Sequence, residues 1–245
     1  MGELIAVLSG KGGTGKTSVC AGVATALAKT GLHVLCIDCD MGLRNLDISL
    51  GLQDSGSLSF LDVCEGRYTL DQAPNHPDFP TLSFLTAPVN CAAEDVDALV
   101  FSCMLHDARQ KYDFIFLDAP AGIDAGFRLA ARFADRILLV TGPDPAAIRD
   151  AARAGEVLEL MGKDNIRLIV NRINKKMVST MDLTVDDVMD AAGLPLIGVV
   201  PEDANVTLAA AFGCPLLMYT RRGAAKAFGC IAKRIQGLPV PISIR

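Results

Sequence analysis

One ten-residue stretch constrains the fold of this chain more than any other feature of its sequence. Residues 9–18 read SGKGGTGKTS, and they follow a short run of strand-forming residues, Leu4–Leu8. The spacing G-x4-G-K-T after a strand and before a helix is that of a phosphate-binding loop. In such loops backbone N–H groups turn toward phosphate oxygens, and the helix N-terminus adds positive potential. The sequence therefore predicts a β-α unit with a phosphate site between strand and helix.

The loop contains two lysines, and they need different explanations. Lys16 is expected to reach the β- and γ-phosphates, and the Thr17 hydroxyl to bind Mg²⁺. Lys11 comes too early for the position that Lys16 takes. It is either an additional cation for the γ-phosphate, acting in cis or on a partner protein, or a surface lysine without a role. The predicted phosphate-binding residues are Gly10, Lys11, Gly12, Gly13, Thr14, Gly15, Lys16, Thr17 and Ser18.

Carboxylates follow two other apolar runs. Asp118 ends the segment YDFIFLD, and Asp38 and Asp40 lie at the end of VLCIDCD. A phosphate-binding loop needs a carboxylate at the end of a neighbouring strand to hold the magnesium shell. Ligands of open α/β sheets bind at that edge. One Asp at a strand end can be a helix cap or a turn residue, but three beside a phosphate loop indicate a metal-dependent nucleotide site.

Short apolar runs alternate with longer helical patterns, which is typical of parallel β-α units. We expect a single doubly wound α/β domain over residues 1–245, with a mostly parallel sheet, helices on both faces and an irregular C-terminal tail at 237–245. Residues 53–81 show the weakest pattern, and their proline-rich end, with Pro74, Pro77 and Pro80, is expected to form a loop. The predicted strands are Leu4–Leu8, Val34–Ile37, Leu82–Leu85, Phe114–Leu117, Ile137–Val140, Leu168–Val170 and Leu196–Val200. The predicted helices span about 17–30, 94–111, 125–134, 145–161, 183–192, 205–213 and 223–236.

Composition limits the class of protein. Hydrophobic residues make up 51% of the chain and the mean hydropathy is +0.35, which predicts a large buried core. No stretch approaches the roughly 18 apolar residues of a membrane span, and the first residues lack a signal-peptide pattern. A cytoplasmic location with reduced thiols is therefore expected for the eight cysteines.

The closest cysteine pair is the C-x-x-C formed by Cys36 and Cys39. Strand alternation places positions i and i+3 on opposite faces, which disfavours chelation by this pair. Small buried side chains are the favoured explanation, and a redox or cluster role is the alternative. The three histidines show no metal-ligand spacing.

Charge is distributed unevenly. The formal net charge is −5, but residues 204–245 contain six basic residues and no Asp or Glu. The remaining 17 basic and 28 acidic residues give residues 1–203 a charge of −11. An acidic body argues against a protein whose whole surface binds nucleic acid, while the basic segment favours anionic partners.

Several motifs together carry a family resemblance over nearly the whole chain. KGGTGKTS resembles the deviant Walker A loop of the MinD/ParA superfamily of P-loop ATPases. DMGLRNLDISLGL (Asp40–Leu52) and DAPAGIDAG (Asp118–Gly126) are similar to the two switch segments of its MinD branch, the septum-site-determining ATPases. The resemblance implies a P-loop fold, an ATP hydrolase activity, and ATP and Mg²⁺ as cofactors.

The same resemblance implies roles for individual residues. Lys11 would act in trans, across a nucleotide-sandwich dimer, and Asp150 would pair with it. Asp40 would position the attacking water, while Asp38 and Asp118 would hold the magnesium shell together with Thr17. The residues implied around the base are Asn171 and Arg172 from LIVNRI, and Pro201, Glu202 and Asp203 from GVVPEDANV.

The function implied is a slow, partner-stimulated ATPase switch of MinD type that regulates placement of the division septum by cycling between an ATP dimer and an ADP monomer. Its partners would be a second copy, a division inhibitor or other cargo, and an activating protein. One alternative is a soluble ParA-like or flagellar/secretion-positioning ATPase, which uses a nucleoid or protein landmark. Another is a cluster-assembly scaffold or a relative of the nitrogenase iron protein. Nucleic acid is the less favoured partner because of the acidic body.

An anionic membrane is a further expected partner, with the ATP form peripheral on the inner face of the cell membrane. Relatives usually carry a C-terminal amphipathic helix for this purpose. Pro239 and Pro241 prevent such a helix in residues 237–245. The segment 223–236 is amphipathic and is expected to pack on the core, with a basic outer face.

Overall fold

Eight strands form one sheet in the computed structural model, which describes residues 1–53, 58–89, 91–174 and 184–242. The strands are β1 (Glu3–Leu8), β2 (Val34–Asp38), β3 (Asn75–His76), β4 (Phe79–Leu85), β5 (Phe114–Asp118), β6 (Arg136–Thr141), β7 (Ile166–Ile173) and β8 (Leu196–Pro201). Their order is β3-β4-β2-β5-β1-β6-β7-β8, and the pair β3–β4 is antiparallel while the other pairs are parallel. The central strands read as continuous apolar runs because both faces of a parallel sheet are covered.

Helices cover the two faces and enclose two hydrophobic clusters. They are α1 (Lys16–Ala28), α2 (Leu46–Leu50), α3 (Phe60–Cys64), α4 (Ala98–Lys111), α5 (Ala125–Phe133), α6 (Pro145–Leu160), α7 (Val185–Ala192), α8 (Asn205–Ala211), α9 (Leu216–Tyr219) and α10 (Gly223–Ile235). Helices α3 to α7 bury residues such as Phe101 and Phe127 on one face. Helices α1, α2 and α8 to α10 bury residues such as Val23 and Phe228 on the other. The doubly wound fold is therefore confirmed.

The helix that begins at the phosphate loop is fixed by close packing against the last long helix. On α1, Gly22 contacts the ring of Phe228 on α10 so closely that a Cβ at this position would overlap it. Glycine permits this approach because it has no side chain. The middle of α1 is thus packed directly against the buried face of α10.

All seven predicted strands and all seven predicted helices are found, with ends that differ by a few residues. Leu183, the first residue of one predicted helix, lies outside the described residues, as do residues 243–245 of the predicted tail. The prediction of a loop at the proline-rich end of residues 53–81 was wrong, because β3 and the start of β4 lie there. Outside the undescribed residues 54–57, this region also contains α3 and a 3₁₀ turn at Leu70–Gln72. Elements this short show no complete hydrophobic period, so the sequence pattern does not reveal them.

Among the helices of the described residues, none combines the length and the apolar character that a membrane span requires.

Candidate functional site

The strand order brings the predicted site residues to one edge of the sheet. Strands β1, β5 and β2 are neighbours, and Asp118 at the end of β5 is in register with Val7 of β1 and with Asp38 of β2. The glycine loop leaves β1 at the same level. Parallel strands place their carboxyl ends on one edge, which is where open α/β sheets bind ligands.

Two glycines of the loop adopt a backbone conformation that other residues rarely take. The φ angles of Gly13 and Gly15 are 80° and 82°. A Cβ at Gly15 would also overlap the side-chain nitrogen of Asn171, which packs against it. Gly10 is restricted in another way, since a Cβ there would overlap the backbone carbonyl of Asp150. The loop therefore requires glycine at these positions for its path and for its contacts with β7 and α6.

Lys16 and Asp118 form a buried ion pair at the bottom of the loop. The Lys16 ammonium donates to Asp118 Oδ1 and lies 3.4 Å from Thr17 Oγ1. Burial raises the pKa of Asp118, and the charge and hydrogen bonds of Lys16 and Thr17 offset that effect only in part. The three residues predicted for phosphate and metal binding are thus in direct contact with one another.

Asp38 is held by the backbone of the segment that follows it. Its Oδ1 accepts from the N–H of Asp40 at 2.8 Å, and its Oδ2 accepts from the N–H of Leu46 at 3.1 Å. Burial, together with the neighbouring charge of Asp118, raises the pKa of Asp38 to about 7. Two carboxylates in a buried position favour a shared proton or a cation between them.

Asp40 lies at the beginning of a turn. Its Oδ1 accepts from the N–H of Gly42 at 3.2 Å and from the N–H of Leu43 at 3.1 Å. Further along the same segment Arg44 has a φ of 51°, and its guanidinium donates to Thr86 Oγ1 at 3.0 Å. Sequence reasoning assigned no role to Thr86, which anchors this segment to the end of β4.

The loop fits a nucleotide phosphate and the cation that accompanies it. Ser9 Oγ and Thr14 Oγ1 are buried and have no hydrogen-bond partner within the described part of the chain. Buried hydroxyls normally have a partner, so Thr14 retains hydrogen-bonding capacity at the loop. A hydroxyl and two carboxylates are the hard oxygen donors that Mg²⁺ prefers. The residues that would hold Mg²⁺ are Thr17, Asp38 and Asp118.

Lys11 is paired with a residue that the sequence reasoning did not select. Its Nζ lies 3.2 Å from Asp144 Oδ1, and both side chains remain more than 40% exposed. The predicted pairing of Lys11 with Asp150 is not the one found. Asp144 precedes α6, where it also accepts from the N–H of Ala147, whereas Asp150 lies further along the helix with its carbonyl against Gly10. The Asp144-Pro145 pair is a helix-start signal that marks this residue in the sequence.

A cavity of about 530 Å³ lies beside the loop, where the base of a nucleotide was predicted to bind. It is lined by Gly15, Ser18, Asn171, Arg172, Pro201, Glu202 and Asp203, together with Val206, Thr207 and Phe228, which the sequence analysis did not assign. A volume of this size is typical of a small-molecule site. The predicted base-binding residues are therefore brought together around one opening.

Within this cavity, Asn171 and Arg172 support the loop. The Asn171 side chain donates to the carbonyl of Thr14 at 2.7 Å. Arg172, at a φ of 59°, donates to the carbonyl of Gly13 at 3.0 Å and lies 3.5 Å from a carboxylate oxygen of Glu202. These contacts fix the loop against β7 in the nucleotide-free protein.

Asp203 has a structural function in addition to its place in the cavity wall. Its Oδ1 accepts from the N–H of Asn205 at 2.9 Å, and its Oδ2 accepts from the N–H of Ala224 at 2.9 Å. The carboxylate therefore satisfies N–H groups at the starts of both α8 and α10. Asp203 therefore links the wall of the base cavity to both helices.

The cysteines are free thiols, and Cys36 and Cys39 are both buried. Within the described ranges, no cluster of three His, Cys, Asp or Glu side chains is arranged to hold a metal ion by itself. The favoured explanation of small buried side chains agrees with this geometry.

Known proteins are similar to this chain in sequence and in fold over nearly its full length. The family described as the CobQ/CobB/MinD/ParA nucleotide binding domain matches residues 5–216. The septum site-determining protein MinD of Synechocystis sp. is 38% identical over 244 residues, which is 98% of this chain and 92% of that protein.

Two solved structures show the same relationship. A chain of the MinC:MinD cell division protein complex from Aquifex aeolicus is 36% identical, with a TM-score of 0.90 and 98% of both chains covered. The septum site-determining protein MinD complexed with Mg-ADP from Pyrococcus horikoshii OT3 is 31% identical, with a TM-score of 0.83 and 96% of both chains covered.

Proposed function

Because this chain belongs to the CobQ/CobB/MinD/ParA family and is a MinD-type ATPase of septum placement, we propose that it works as a switch between an ATP-bound homodimer and an ADP-bound monomer. The position of Lys11 is the observation that carries this proposal. The Lys11 side chain is 42% exposed, and its partner, the Asp144 carboxylate, is on a side chain that is 43% exposed. Such a surface pair contributes only about 0–1 kcal/mol, so Lys11 is free to turn toward the phosphates of a second subunit.

In the proposed mechanism, Lys16 exchanges one anion for another. When ATP binds, its β- and γ-phosphates replace Asp118 as the partner of the Lys16 ammonium. Asp118, Asp38 and Thr17 would then be available to hold Mg²⁺, which would neutralise charge on the phosphates. Asp40 lies two residues beyond Asp38 and donates its backbone N–H to that carboxylate, which supports a role for Asp40 in orienting the attacking water.

The proposed base is adenine, bound in the cavity between β7, β8 and α8. Asn171 is at its edge, where the carbonyl of the amide is available to an amino group while the amide nitrogen holds Thr14. Pro201 and Glu202 form the wall of the same cavity. The structure named for Mg-ADP supports a nucleotide of this kind by similarity.

We further propose that the ATP dimer binds a division inhibitor, by similarity to the protein named in the MinC:MinD complex. An activating protein would then trigger hydrolysis and release. We propose a peripheral location on the inner face of the cell membrane for the ATP form. The described part of the tail does not form an amphipathic helix, since Arg234 donates to the carbonyls of Val240 and Pro241 and holds it against α10.

The test is a Lys11→Ala variant, compared with Lys29→Ala, an exposed lysine that follows the far end of α1. Light scattering in ATP and in ADP measures dimers, and fluorescent nucleotide titration measures affinity. We expect Lys11→Ala to bind nucleotide but to remain monomeric in ATP, and Lys29→Ala to behave as wild type. ATP-dependent dimers of Lys11→Ala would refute the role in trans. A Lys16→Ala variant should instead bind nucleotide poorly and lose hydrolysis.

A further inference from the structure

A groove of about 470 Å³ lies between α4 on one side and α3 with the 3₁₀ turn on the other. Two of the residues that line it are cysteines, Cys64 at the end of α3 and Cys103 within α4. The two helices are packed together at the rings of Phe60 and Phe101, whose centroids are 5.3 Å apart. The helix packing therefore brings two thiols that are distant in the sequence to opposite walls of one groove.

The two thiols differ in exposure, and each is within reach of the other's charge. Cys103 is exposed, whereas Cys64 is half-buried and packs against the core cluster that contains Phe60. Burial, and after it the charge that Cys103 can carry, raises the pKa of Cys64 to about 12. The influence of one charge on another falls with distance, so the two thiols are neighbours. In the described part of the chain, no third His, Cys, Asp or Glu joins them in a metal-binding arrangement.

We propose that Cys64 and Cys103 are a modification site, at which a low-molecular-weight disulfide oxidises the two thiols to one intramolecular disulfide. The thiols of Cys20, Cys36 and Cys39 are buried, which shields them from such a reagent. The pair in the groove combines an exposed thiol with a second thiol beside it, which is the arrangement that this oxidation requires. This site is additional to the ATP switch and does not depend on it.

The oxidation consists of two exchanges, in which atoms and electrons balance. The Cys103 thiolate attacks one sulfur of a disulfide RS–SR, the bond between the two sulfurs breaks, and one RS⁻ leaves a mixed disulfide on Cys103. The Cys64 thiolate then attacks Sγ of Cys103, the bond to SR breaks, and the second RS⁻ leaves. The two protons lost by the cysteines go to the two RS⁻ ions. The cysteine pair is thus oxidised by two electrons, and RS–SR is reduced to two RSH.

The structure supports this order of attack. Cys103 meets a dissolved disulfide first because it is exposed, and thiol–disulfide exchange requires access to the attacking thiol. The groove has room for the R group, since its volume is in the range of small-molecule sites. In the mixed disulfide Cys103 carries no charge, so one of the two causes that raise the pKa of Cys64 is removed. Formation of the mixed disulfide therefore prepares Cys64 for the second attack.

Contacts connect the thiol pair to the segment Asp40–Leu52. Phe60, at the start of α3, donates its N–H to the carbonyl of Thr86 at 3.0 Å. The hydroxyl of the same threonine accepts from the Arg44 guanidinium at 3.0 Å. A disulfide between Cys64 and Cys103 would therefore join α4 to the helix that is bonded to the anchor of this segment.

The test is incubation of the folded protein with glutathione disulfide, followed by alkylation of the remaining thiols and peptide mapping by mass spectrometry without reduction. Cys64→Ser and Cys103→Ser are compared with Cys91→Ser, which changes a half-buried cysteine outside the groove. We expect wild type and Cys91→Ser to give a peptide in which Cys64 is linked to Cys103, and dithiothreitol to restore both thiols. Cys64→Ser should retain glutathione on Cys103, and Cys103→Ser should react at Cys64 at least about tenfold more slowly. Circular dichroism verifies that each variant is folded.

Selective linkage of Cys64 to Cys103 in the folded protein supports the proposal. Glutathione that stays on Cys103 of wild type without a linked peptide would overturn it, as would linkage of Cys64 to the buried Cys39 or thiols that remain unreacted. The map of wild type alone decides these outcomes, so they stand even where a variant does not fold. The same map in urea is the control for selectivity. If the unfolded chain gives an equal share of the linked peptide, the fold does not bring these thiols together and the proposal fails.

Discussion

Replacing Asp38 by Asn should make the nucleotide-free protein more stable, although it removes a predicted magnesium ligand. The pKa of Asp38 is raised from 3.8 to about 7, by burial first and then by the charge of Asp118. The folded protein therefore takes up this proton more readily than the unfolded chain does. The resulting contribution to stability is fully present below about pH 4 and is lost as the pH rises to about 7.

The magnitude follows from the difference between the two pKa values. The change from 3.8 to about 7 corresponds to about 4 kcal/mol in the free energy of unfolding. An Asn side chain accepts only one of the two N–H bonds that Asp38 accepts, which costs about 1 kcal/mol. We therefore expect Asp38→Asn to be about 2–3 kcal/mol more stable than wild type at about pH 8, and within about 1 kcal/mol of it at about pH 5.

Urea denaturation of the nucleotide-free protein in a metal chelator, at several pH values, measures this difference. Asp107→Asn, an exposed carboxylate on α4, is the control and should change stability by less than about 0.5 kcal/mol at every pH. A stability difference for Asp38→Asn that is the same at both ends of the pH range would refute the reasoning. The same variant should lose Mg²⁺-dependent hydrolysis, because function here requires a carboxylate that destabilises the empty site.

Three further substitutions test contacts that support the site. Gly15→Ala places a Cβ against Asn171 at a φ of 82°, so nucleotide affinity should fall by about tenfold or more in titration calorimetry. Gly22→Ala forces a methyl group into the ring of Phe228, and urea denaturation should show a loss of about 1–3 kcal/mol. Asp203→Ala leaves N–H groups at the starts of two helices without their carboxylate, which should cost about 1–3 kcal/mol in the same assay. Unchanged affinity or stability in any of the three would contradict the contact concerned.

The positions of the strands and long helices could be predicted because each is a local pattern. A buried parallel strand is a short apolar run, and a helix shows its period within about three turns. Prediction from local patterns fails in the segment 53–81. Phe60 is fully buried, yet α3 contributes only one buried residue in five, and β3 is two residues long. Helix α3 and strand β3 form because the sheet edge and α4 cover them. A local sequence pattern does not reveal such contacts.

The sequence likewise could not predict which distant residues contact the phosphate loop. Lys11 pairs with Asp144, and Asn171 holds Thr14, across 133 and 157 residues of chain. The family resemblance implied that Asn171 lies near the base, but not that its amide supports the loop. Such pairs depend on which strands are neighbours, and β7 reaches the loop only because β6 alone separates it from β1.

The sequence by itself determined the fold class, the phosphate loop and the carboxylates at the strand ends, because each requires only residues that are close together along the chain. Only the tertiary structure decided that Asp38 and Asp118 are buried side by side, that Asp203 joins two helices to the base cavity, and that two distant cysteines line one groove. Burial and neighbouring charge set these properties, and both arise only when distant segments pack together.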